Sequence, residues 1–578
     1  MAMKKTIVRR NNIASNGKLP TDLHPVLARV YAARNIASRQ ELERSLEHIH
    51  PVGMLSGIDQ ATDLLRDMLN IQAHILIVAD FDADGATSCA IAVRALRMMG
   101  FIHVSYIVPN RFEYGYGLTP EIVQVASARR PDLIITVDNG ISSVEGVVAA
   151  RQLGIKVLIT DHHLPGATLP DADVIVNPNQ PGDAFPSKNL AGVGVIFYVM
   201  LALRAALRDE GWFARNNMQE PNLARLLDIV ALGTVADIVP LDHNNRILVE
   251  QGLARIRRGH CCAGIKALIE VAGRKQERVI AADLGFALGP RLNAAGRLED
   301  MSQGIECLLT DDEDIALAIA RRLDELNRER RSIETQMQEQ ALSTLSRLHL
   351  EEENTLPVGL CIFDKDWHQG VTGILASRLK ERFHRPVIAF APASGDEIKG
   401  SARSIPGLHI RDALDAIAAR HPAMLKKFGG HAMAAGMTLK LSDFDAFQKA
   451  FDDEVRKHLG EEDLHGIVLT DGELTAEEIS LDVAEALRTG GPWGQGFPEP
   501  VFDGVFDIAN RRVVGERHLK LLLQVPGKQH LIDAIAFNTD TSAWPDDMTQ
   551  IHIAYKLDVN EYRGQRNAQL IVEHVDVI

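Results

Sequence analysis

Three aspartates on alternate residues stand directly after an apolar run in the first fifth of the chain. The run is Ile75–Ala79, and Asp80, Asp82 and Asp84 follow it before Gly85. If the extended backbone of a strand continues through them, alternate side chains share a face and three carboxylates crowd together. Carboxylates that close repel each other and raise one another's pKa unless a cation sits among them. The stretch predicts a divalent metal site, with an acidic turn as the alternative when it is taken alone.

Two later apolar runs also end in polar side chains of these kinds. The residues are Asp138 and Asn139 after the run 133–137, and Asp161, His162 and His163 after the run 156–160. From about residue 60 to 240, strand-like runs alternate with helical patterns, which predicts a parallel sheet flanked by helices. The carboxyl ends of parallel strands lie along one edge of a sheet, where ligands bind. We therefore expect the aspartates and histidines to converge at that edge.

Asp237 is a further candidate because it lies in the otherwise apolar segment 231–241. Taken alone, it is better interpreted as a helix-capping or loop aspartate. Together, carboxylates and imidazoles suit Mn²⁺ or Mg²⁺ better than a thiolate-rich zinc site, and the imidazoles favour Mn²⁺. The set is large enough for two ions, and a pair roughly 3.5–4 Å apart can activate water and stabilise a leaving oxygen. Phosphoester hydrolysis is the chemistry that this set predicts.

Composition narrows the class of protein. The net charge is −15, from 62 basic and 77 acidic residues, which is not the overall signature of a nucleic-acid binder. A polyanionic partner would have to meet a local basic surface or bound metal ions. The five cysteines form no CxxC pair, which predicts reduced thiols in a cytoplasmic protein. No apolar segment follows the basic N-terminus, and the longest apolar run, 193–203, is too short to cross a bilayer, so we expect a soluble protein without a membrane span.

The length of 578 residues predicts about three or four domains. Residues 311–350 lack proline and glycine and repeat apolar residues at helical spacing, which predicts a connector helix about 60 Å long. Residues 355–455 predict a second α/β unit, and five strand-like runs after residue 510 predict a small barrel, for which we choose an OB-fold. The expected divisions are a helical segment 1–55, a catalytic domain 56–305, the connector 306–352, an α/β domain 353–460, and a helical linker with the barrel 461–578.

Several segments carry side chains suited to a single-stranded polyanion. The candidates are Arg111, Tyr114, Arg291, Asn293 and Arg297 in the first half, and His368, Ser401, Arg403, Gly430 and His431 in the second. Arginine beside tyrosine favours base stacking and phosphate contact at 110–118, with a glycine-rich loop of packed tyrosines as an equal alternative. Segment 289–298 is interpreted as a loop that recognises phosphate, against the alternative of surface salt bridges. Basic residues at 511–520 and 562–566 predict a DNA-binding face on the barrel, against a solvated charged surface.

The motifs ADFDADGATS, TVDNGIS, TDHH, ALGTVADIVPL and GPRLNAAGRL together resemble the DHH phosphoesterase superfamily, and within it the single-strand-specific exonucleases of bacteria. The likeness covers nearly the whole chain. It implies metal ligation by Asp82, Asp84, Asp138, His162 and Asp237, with Asp138 bridging two ions. It also implies that His163 lies next to the scissile phosphate, with Asp80 and Asp161 as close supports or alternative ligands.

One position departs from the family pattern. Many members have a histidine four residues before the first metal-binding aspartate, where this chain has Val78. One ion would then be held less completely, and Asp80 is the residue expected to compensate. The segment 428–436 resembles part of the DHH-associated domain, whose GGH sequence closes over the substrate opposite the metals.

The resemblance implies an exonuclease that degrades single-stranded DNA from 5′ to 3′ into mononucleotides. It also implies a monomer that acts in recombination and in mismatch and base-excision repair, beside a helicase and a single-strand-binding protein. Two other functions stay open. One is a DHH phosphodiesterase for short oligoribonucleotides or cyclic dinucleotides, against which the barrel and the long connector argue. The other is a non-catalytic DNA-binding scaffold, against which the full set of expected acids and histidines argues.

Overall fold

The structure is a computed structural model, and it describes residues 5–10, 19–109, 117–351, 356–425, 427–515, 518–539, 544, 548–562 and 564–577. The chain divides into two compact units. The first unit comprises residues 12–327 and 486–499. The second comprises residues 1–11, 328–485 and 500–578.

The strands are numbered in chain order. They are β1 (Lys5–Arg9), β2 (Ile75–Ala79), β3 (Val104–Ile107), β4 (Leu133–Val137), β5 (Lys156–Thr160), β6 (Val174–Val176), β7 (Leu360–Phe363), β8 (Val387–Pro392), β9 (Glu397–Arg403), β10 (Lys427–Gly430), β11 (Ala434–Lys440), β12 (Gly466–Thr470), β13 (Phe502–Val514), β14 (His518–Gln524), β15 (Leu531–Ala536), β16 (Gln550–Tyr562) and β17 (Gln565–Val577).

The helices are numbered in the same way. They are α1 (Pro25–Ala32), α2 (Ile58–Asn70), α3 (Ala83–Met98), α4 (Pro120–Ser127), α5 (Val144–Gln152), α6 (Gly192–Asp209), α7 (Trp212–Arg215), α8 (Leu227–Ala236), α9 (His243–Arg257), α10 (Ala263–Val271), α11 (Ala281–Asp283), α12 (Gly289–Leu298), α13 (Ser302–Leu309), α14 (Glu313–Glu351), α15 (Thr372–Phe383), α16 (Ile410–Arg420), α17 (Phe444–Val455) and α18 (Leu481–Gly490). A π-helical turn, Leu284–Leu288, separates α11 from α12.

The first unit is built on a five-stranded parallel sheet in the order β3-β2-β4-β5-β6. All residues of β2 and β4 are buried. Their sequences are therefore continuous apolar runs, without the alternation of polar and apolar residues that a half-exposed strand shows. Val137 pairs with Ala79 and with Thr160, so three of these strands end level with one another. The predicted parallel sheet is confirmed, and its carboxyl edge brings the strand-end residues to one place.

Local structure at two motifs differs from the sequence expectation. The backbone does not stay extended through the three aspartates, because Asp82 caps the N-terminus of α3, accepting hydrogen bonds from the backbone N–H groups of Asp84 and Gly85. Segment 289–298, expected to be a loop, is the helix α12. Pro290 stands in its first turn, where a missing N–H costs no hydrogen bond.

The second unit holds a mixed sheet and a closed barrel. The sheet runs in the order β10-β11-β9-β8-β7, with β7 and β8 parallel and the other pairs antiparallel. The barrel closes in the order β13-β14-β15-β17-β16, five strands as an OB-fold requires. The predicted multidomain α/β class, with a long helix and a C-terminal barrel, is confirmed.

The long helix and the chain ends add two details. The helix α14 has 39 residues, close to the predicted connector, and the division between the two units falls within it. The N-terminal segment, expected to be helical, begins with β1, which pairs in parallel with β12 inside the stretch expected to be a helical linker. The pairing joins residues about 460 apart in sequence, so it cannot be predicted from a local sequence pattern.

No helix in the described residues is both long enough and apolar enough to cross a membrane. The five cysteines are all free, and Cys89, Cys307 and Cys361 are buried. The expectation of unpaired thiols agrees with this structure.

Candidate metal centre

Carboxylates and an imidazole converge where β2, β4 and β5 end. His162 Nε2 lies 3.2 Å from Asp138 Oδ1, 3.4 Å from Asp237 Oδ2 and 4.0 Å from Asp84 Oδ2. A second group joins Asp80, Asp82 and Asp138, with one ligand atom from each lying within 4.8 Å of the others. Asp138 belongs to both groups, so the sheet edge brings together all five residues that the resemblance implies as metal ligands. Their roles as ligands stay a prediction.

Asp84 is anchored from a distant part of the chain. Its two carboxylate oxygens accept hydrogen bonds from the backbone N–H groups of Gly192, at 2.7 Å, and Val193, at 3.0 Å. These are the first residues of α6, so the positive end of a helix faces a negative charge. The carboxylate is therefore held in one orientation while it is 1% exposed.

The donor atoms fit a divalent cation. His162 Nε2 and Asp237 Oδ2 are buried and 3.4 Å apart, yet neither takes part in a hydrogen bond within the described part of the chain. Buried polar atoms almost always have a hydrogen-bond partner. Two such atoms without one, both facing the same cluster, indicate that the cluster binds a cation. Burial, and then the charge of His163, lower the pKa of His162 to about 4. The imidazole is thus neutral near pH 7, as a metal-binding histidine must be.

Charge repulsion in the cluster is severe without a cation. Burial, followed by the charge of Asp82, raises the pKa of Asp84 to about 7, against the hydrogen bonds from Val193 and Gly192. The pKa values of Asp138 and Asp237 are raised well above the usual range, first by burial and then by the charge of Asp84. At an effective dielectric constant of 20, each pair of unit charges 4 Å apart costs about 4 kcal/mol. Bound cations would remove that cost.

His163 differs from His162 in the direction of its pKa shift. Burial on its own lowers the pKa of His163, but a 2.8 Å hydrogen bond from its Nδ1 to Asp161 Oδ1 and the charge of that carboxylate prevail and raise the pKa to about 9. Asp161 also accepts from the backbone N–H of Ile141, and despite burial its pKa is lowered, chiefly by the His163 hydrogen bond. His163 therefore stays cationic at neutral pH, and its side chain is 34% exposed.

Three asparagines hold the strand ends, a role that the sequence analysis gave to none of them. Asn139 donates to the carbonyl oxygens of Val78 and Val137, which locks β2 to β4 next to the cluster. Asn177 donates to the carbonyl oxygen of His163, and Asn179 to that of His162. Asn177 follows β6 directly and Asn179 comes two residues later, so the rule that polar residues after a parallel strand reach the binding edge would have found these two.

The family's missing histidine is replaced by a fully buried Val78. Asp80, expected to compensate, is 5% exposed and belongs to the group with Asp82 and Asp138. Its placement supports a part in holding an ion, which stays a prediction.

The substrate-binding candidates in the first half of the chain differ in the contacts that their side chains make. Arg291 is 8% exposed, pairs with Asp324 at 2.8 Å and donates to the carbonyl oxygen of Ala287, so its guanidinium has structural partners. Asn293 accepts from the backbone N–H of Ala83 at 2.8 Å and so positions the aspartate loop. Arg297 is half-buried near the end of α12. Arg111 and Tyr114 lie outside the described residues.

The second unit brings several of its candidates together. Ser401 Oγ lies 3.0 Å from Thr372 Oγ1 at the N-terminus of α15, and Arg403 Nη2 would be 3.0 Å from a Cβ on Gly373 in the same turn. A helix N-terminus beside a hydroxyl pair and a guanidinium suits an anion. Thr372 is a contributor that the sequence analysis missed.

The GGH turn adjoins this group. Arg403 pairs across the sheet with Ala434, whose carbonyl oxygen accepts from the backbone N–H of His431. Gly430 has φ of +148°, and a Cβ there would meet the carbonyl oxygen of Ala434 at 2.4 Å, so the turn requires glycine. His431 and His368 are both exposed. A substrate contact for each of them stays a prediction.

Comparison with known proteins places the domains by family. The model of the DHH family, N-terminal domain, matches residues 74–234, that of the DHHA1 domain matches 356–457, and that of the RecJ OB domain matches 470–574. The single-stranded-DNA-specific exonuclease RecJ of Salmonella typhimurium is 55% identical over 569 residues, which are 98% of this chain and 98% of that protein.

Two solved structures extend the comparison to metals. The crystal structure of RecJ in complex with Mn²⁺ from Thermus thermophilus aligns with a TM-score of 0.79 at 29% identity, over 96% of this chain and 76% of that one. The corresponding complex with Mg²⁺ aligns with a TM-score of 0.73 at 26% identity, over 96% and 75%. Both metals agree with the donor set of the cluster.

Metal affinity should depend on pH through Asp84. Because its pKa is raised to about 7, and the pKa values of Asp138 and Asp237 are raised as well, protons compete with metal at these carboxylates. Mn²⁺ affinity should therefore fall by at least about tenfold per pH unit toward the acid end of the range from pH 7 to 5.5. His162, with a pKa near 4, adds no competition in this range. Isothermal titration calorimetry between pH 5.5 and 8 measures the affinity. A constant affinity over the whole range would contradict this account.

Gly192→Ala should damage the metal centre without changing a candidate ligand. A Cβ on Gly192 would lie 2.6 Å from Asp138 Oδ1 and 2.7 Å from its Cβ, so Asp138 or the start of α6 must move. We expect Mn²⁺ affinity to fall by about 10- to 100-fold, as for other residues that orient ligands. Gly166→Ala is the matched control, because nothing lies within 4 Å of the added Cβ. Equal calorimetric affinity in the two variants would refute the positioning role of α6.

Proposed function

The chain belongs to the RecJ family of single-stranded-DNA-specific exonucleases, and on that basis we propose that it hydrolyses the phosphodiester bonds of single-stranded DNA progressively from one end. One observation supports this above others: a neutral His162 faces three aspartates of raised pKa at the carboxyl edge of the sheet. Such a cluster needs cations, and its ligand types are those of phosphoryl-transfer centres.

Two ions are proposed, held by two overlapping sets of residues. Asp84, His162 and Asp237 form one set, Asp80 and Asp82 belong to the other, and Asp138 lies within reach of both. Mn²⁺ or Mg²⁺ bound there would supply activation of water and charge neutralisation at the phosphate. The carboxylates and the imidazole fix where such ions can sit, because the ends of β2, β4 and β5 and the start of α6 hold them.

His163 is proposed to act on the phosphate directly. Its hydrogen bond to Asp161 keeps the imidazole protonated at neutral pH and fixes the orientation of the ring. With 34% of the side chain exposed, the other ring nitrogen can donate to a phosphate oxygen. Negative charge that develops on this oxygen in the transition state would be balanced by the imidazolium.

Binding of the strand is proposed to use the second unit as well. Ser401, Thr372 and Arg403 would hold a phosphate at the N-terminus of α15, and the OB barrel would grip further nucleotides. These local sites would reconcile a polyanionic substrate with a net charge of −15.

Several finer features form part of the same proposal. The direction is 5′ to 3′ and the products are 5′-mononucleotides, as the family resemblance implies. The enzyme acts in the cytoplasm as a monomer, beside a helicase and a single-strand-binding protein, in recombination and repair. The rival phosphodiesterase for short RNA or cyclic dinucleotides is disfavoured by the RecJ OB domain match at 470–574, since very small substrates need no such grip.

Asp138→Asn should abolish digestion while binding persists. Asp138 lies in two of the three candidate metal groups, so its loss should lower the rate by more than about 100-fold, the upper effect of even an indirect partner. The assay is release of nucleotides from end-labelled single-stranded DNA with Mn²⁺. Binding is followed by fluorescence anisotropy of a labelled strand.

The matched control is Asp132→Asn, at the opposite end of the same strand, where the carboxylate is exposed and accepts a hydrogen bond from the backbone N–H of His74. Its digestion rate should stay near that of the parent. Undiminished digestion by the Asp138→Asn protein would rule out this metal centre. Faster cleavage of dinucleotides than of a long strand by the parent would favour the rival activity.

A further inference from the structure

Three large apolar side chains stand exposed beside the metal centre. Leu164 is 61% exposed and follows His163, and Ile238 is 69% exposed and follows Asp237. Phe286 is 81% exposed, the highest value among the exposed large hydrophobic side chains of the described residues. We call Leu164, Ile238 and Phe286 the apolar rim.

Contacts of the neighbouring backbone place the rim at the cluster. The backbone N–H of Ile238 donates to the carbonyl oxygen of Val235 at 3.3 Å, and a Cβ on Gly285 would lie 3.7 Å from that same oxygen. Phe286 follows Gly285 on the π-helical turn, so it lies next to the end of α8 that carries Asp237. Asp237 Oδ2 is in turn 3.4 Å from His162, two residues before Leu164.

Close packing keeps the π-helical turn against α8. A Cβ on Gly285 would be 3.2 Å from Val235 Cγ1, and a Cβ on Gly289 would be 3.0 Å from the Cβ of Ala236. The two glycines therefore bring the turn as near to α8 as the backbone allows. Phe286, between them in sequence, is left facing solvent.

Ile238 adds little to the stability of the fold. Its φ is +63°, a conformation that is costly for a β-branched residue, and most of the residue remains exposed to solvent. A strained, exposed, apolar residue next to a candidate metal ligand is typical of a side chain presented to a ligand. Phe286 is likewise apolar and exposed, and its ring buries little surface.

We propose that the apolar rim is a stacking platform for one unpaired nucleobase of the substrate, the base next to the phosphate at the metal centre. This inference rests on the proposed function. Every base offers an apolar face, so stacking on Phe286 requires no particular sequence. It does require that the base is unpaired and turned out of a helical stack, which disfavours duplex DNA at this point. The rim thereby contributes to single-strand specificity.

The test combines a substrate change with a protein change. A single abasic site is moved along an end-labelled strand, and kcat/KM is measured for the parent, Phe286→Ala and Phe286→Trp. With the parent, one abasic position near the attacked end should lower kcat/KM by about 5- to 100-fold. Phe286→Ala should show a similar loss on the intact strand and no further loss at that abasic position, since the same contact is removed twice. Phe286→Trp should keep the parent's kcat/KM on the intact strand and its loss at the abasic position, because tryptophan also stacks on a base.

Two further variants separate stacking from stability. Ile238→Gly relieves the strain of the left-handed backbone conformation, so the melting temperature of this variant should not fall. Its affinity for single-stranded DNA should fall, because the apolar side chain is lost. Ile102→Ala is the matched control, because Ile102 is 71% exposed but lies before β3, at the opposite edge of the sheet. It should behave like the parent on every substrate.

Anisotropy with Asp138→Asn protein measures stacking without turnover, so failure of the platform is distinguishable from failure of the proposed function. In this background, Phe286→Ala should weaken binding of the intact strand and leave binding of the abasic strand unchanged. Additive losses from Phe286→Ala and the abasic site would overturn the platform. So would a Phe286→Ala protein that discriminates abasic strands like the parent but loses a concentration-dependent self-association, because the rim would then bind a second copy of the chain.

Discussion

Repulsion among buried carboxylates at one sheet edge is the constraint on which the rest of this structure depends. Asp84 and Asp138 are each 1% exposed and share a cluster with Asp82 and Asp237. Without cations such a group is stable only if its carboxylates take up protons, and the raised pKa values express that tendency. Asp82 and Asp84 are held in place by backbone N–H groups, so these two carboxylates do not simply turn away from the cluster.

The surrounding elements supply that fixation through polar contacts of the main chain. The start of α6 donates two N–H groups to Asp84, Asn139 joins β2 to β4, and the asparagines after β6 hold the carbonyl oxygens of the histidine pair. One histidine of that pair is kept neutral by burial, and the other is kept charged by Asp161. The two adjacent imidazoles thus have opposite protonation states at neutral pH, which suits the separate roles proposed for them, ligation and charge balance.

The sheet and most of the cluster can be predicted from the sequence, because buried parallel strands are continuous apolar runs and polar residues follow them. The bounds of β2, β4 and β5 agree with the apolar runs, since both faces of such strands are covered. Segment 289–298 is the helix α12, and not the loop that its glycines predict. In the fold Gly296 permits contact with the carbonyl oxygen of Phe81, 1.9 Å from where a Cβ would be, so tertiary packing overrides local propensity. The anchoring of Asp84 by α6 links residues 108 apart, which no local pattern encodes.

The central claim is that distant strand ends build one cage for divalent cations. Its most direct test is anomalous X-ray diffraction from crystals of this protein soaked in Mn²⁺, with data on both sides of the manganese absorption edge. The account predicts two anomalous peaks, both within coordination distance of Asp138 and one of them also of His162 and Asp237. An absence of manganese among these side chains, with strong peaks elsewhere on the protein, would contradict it.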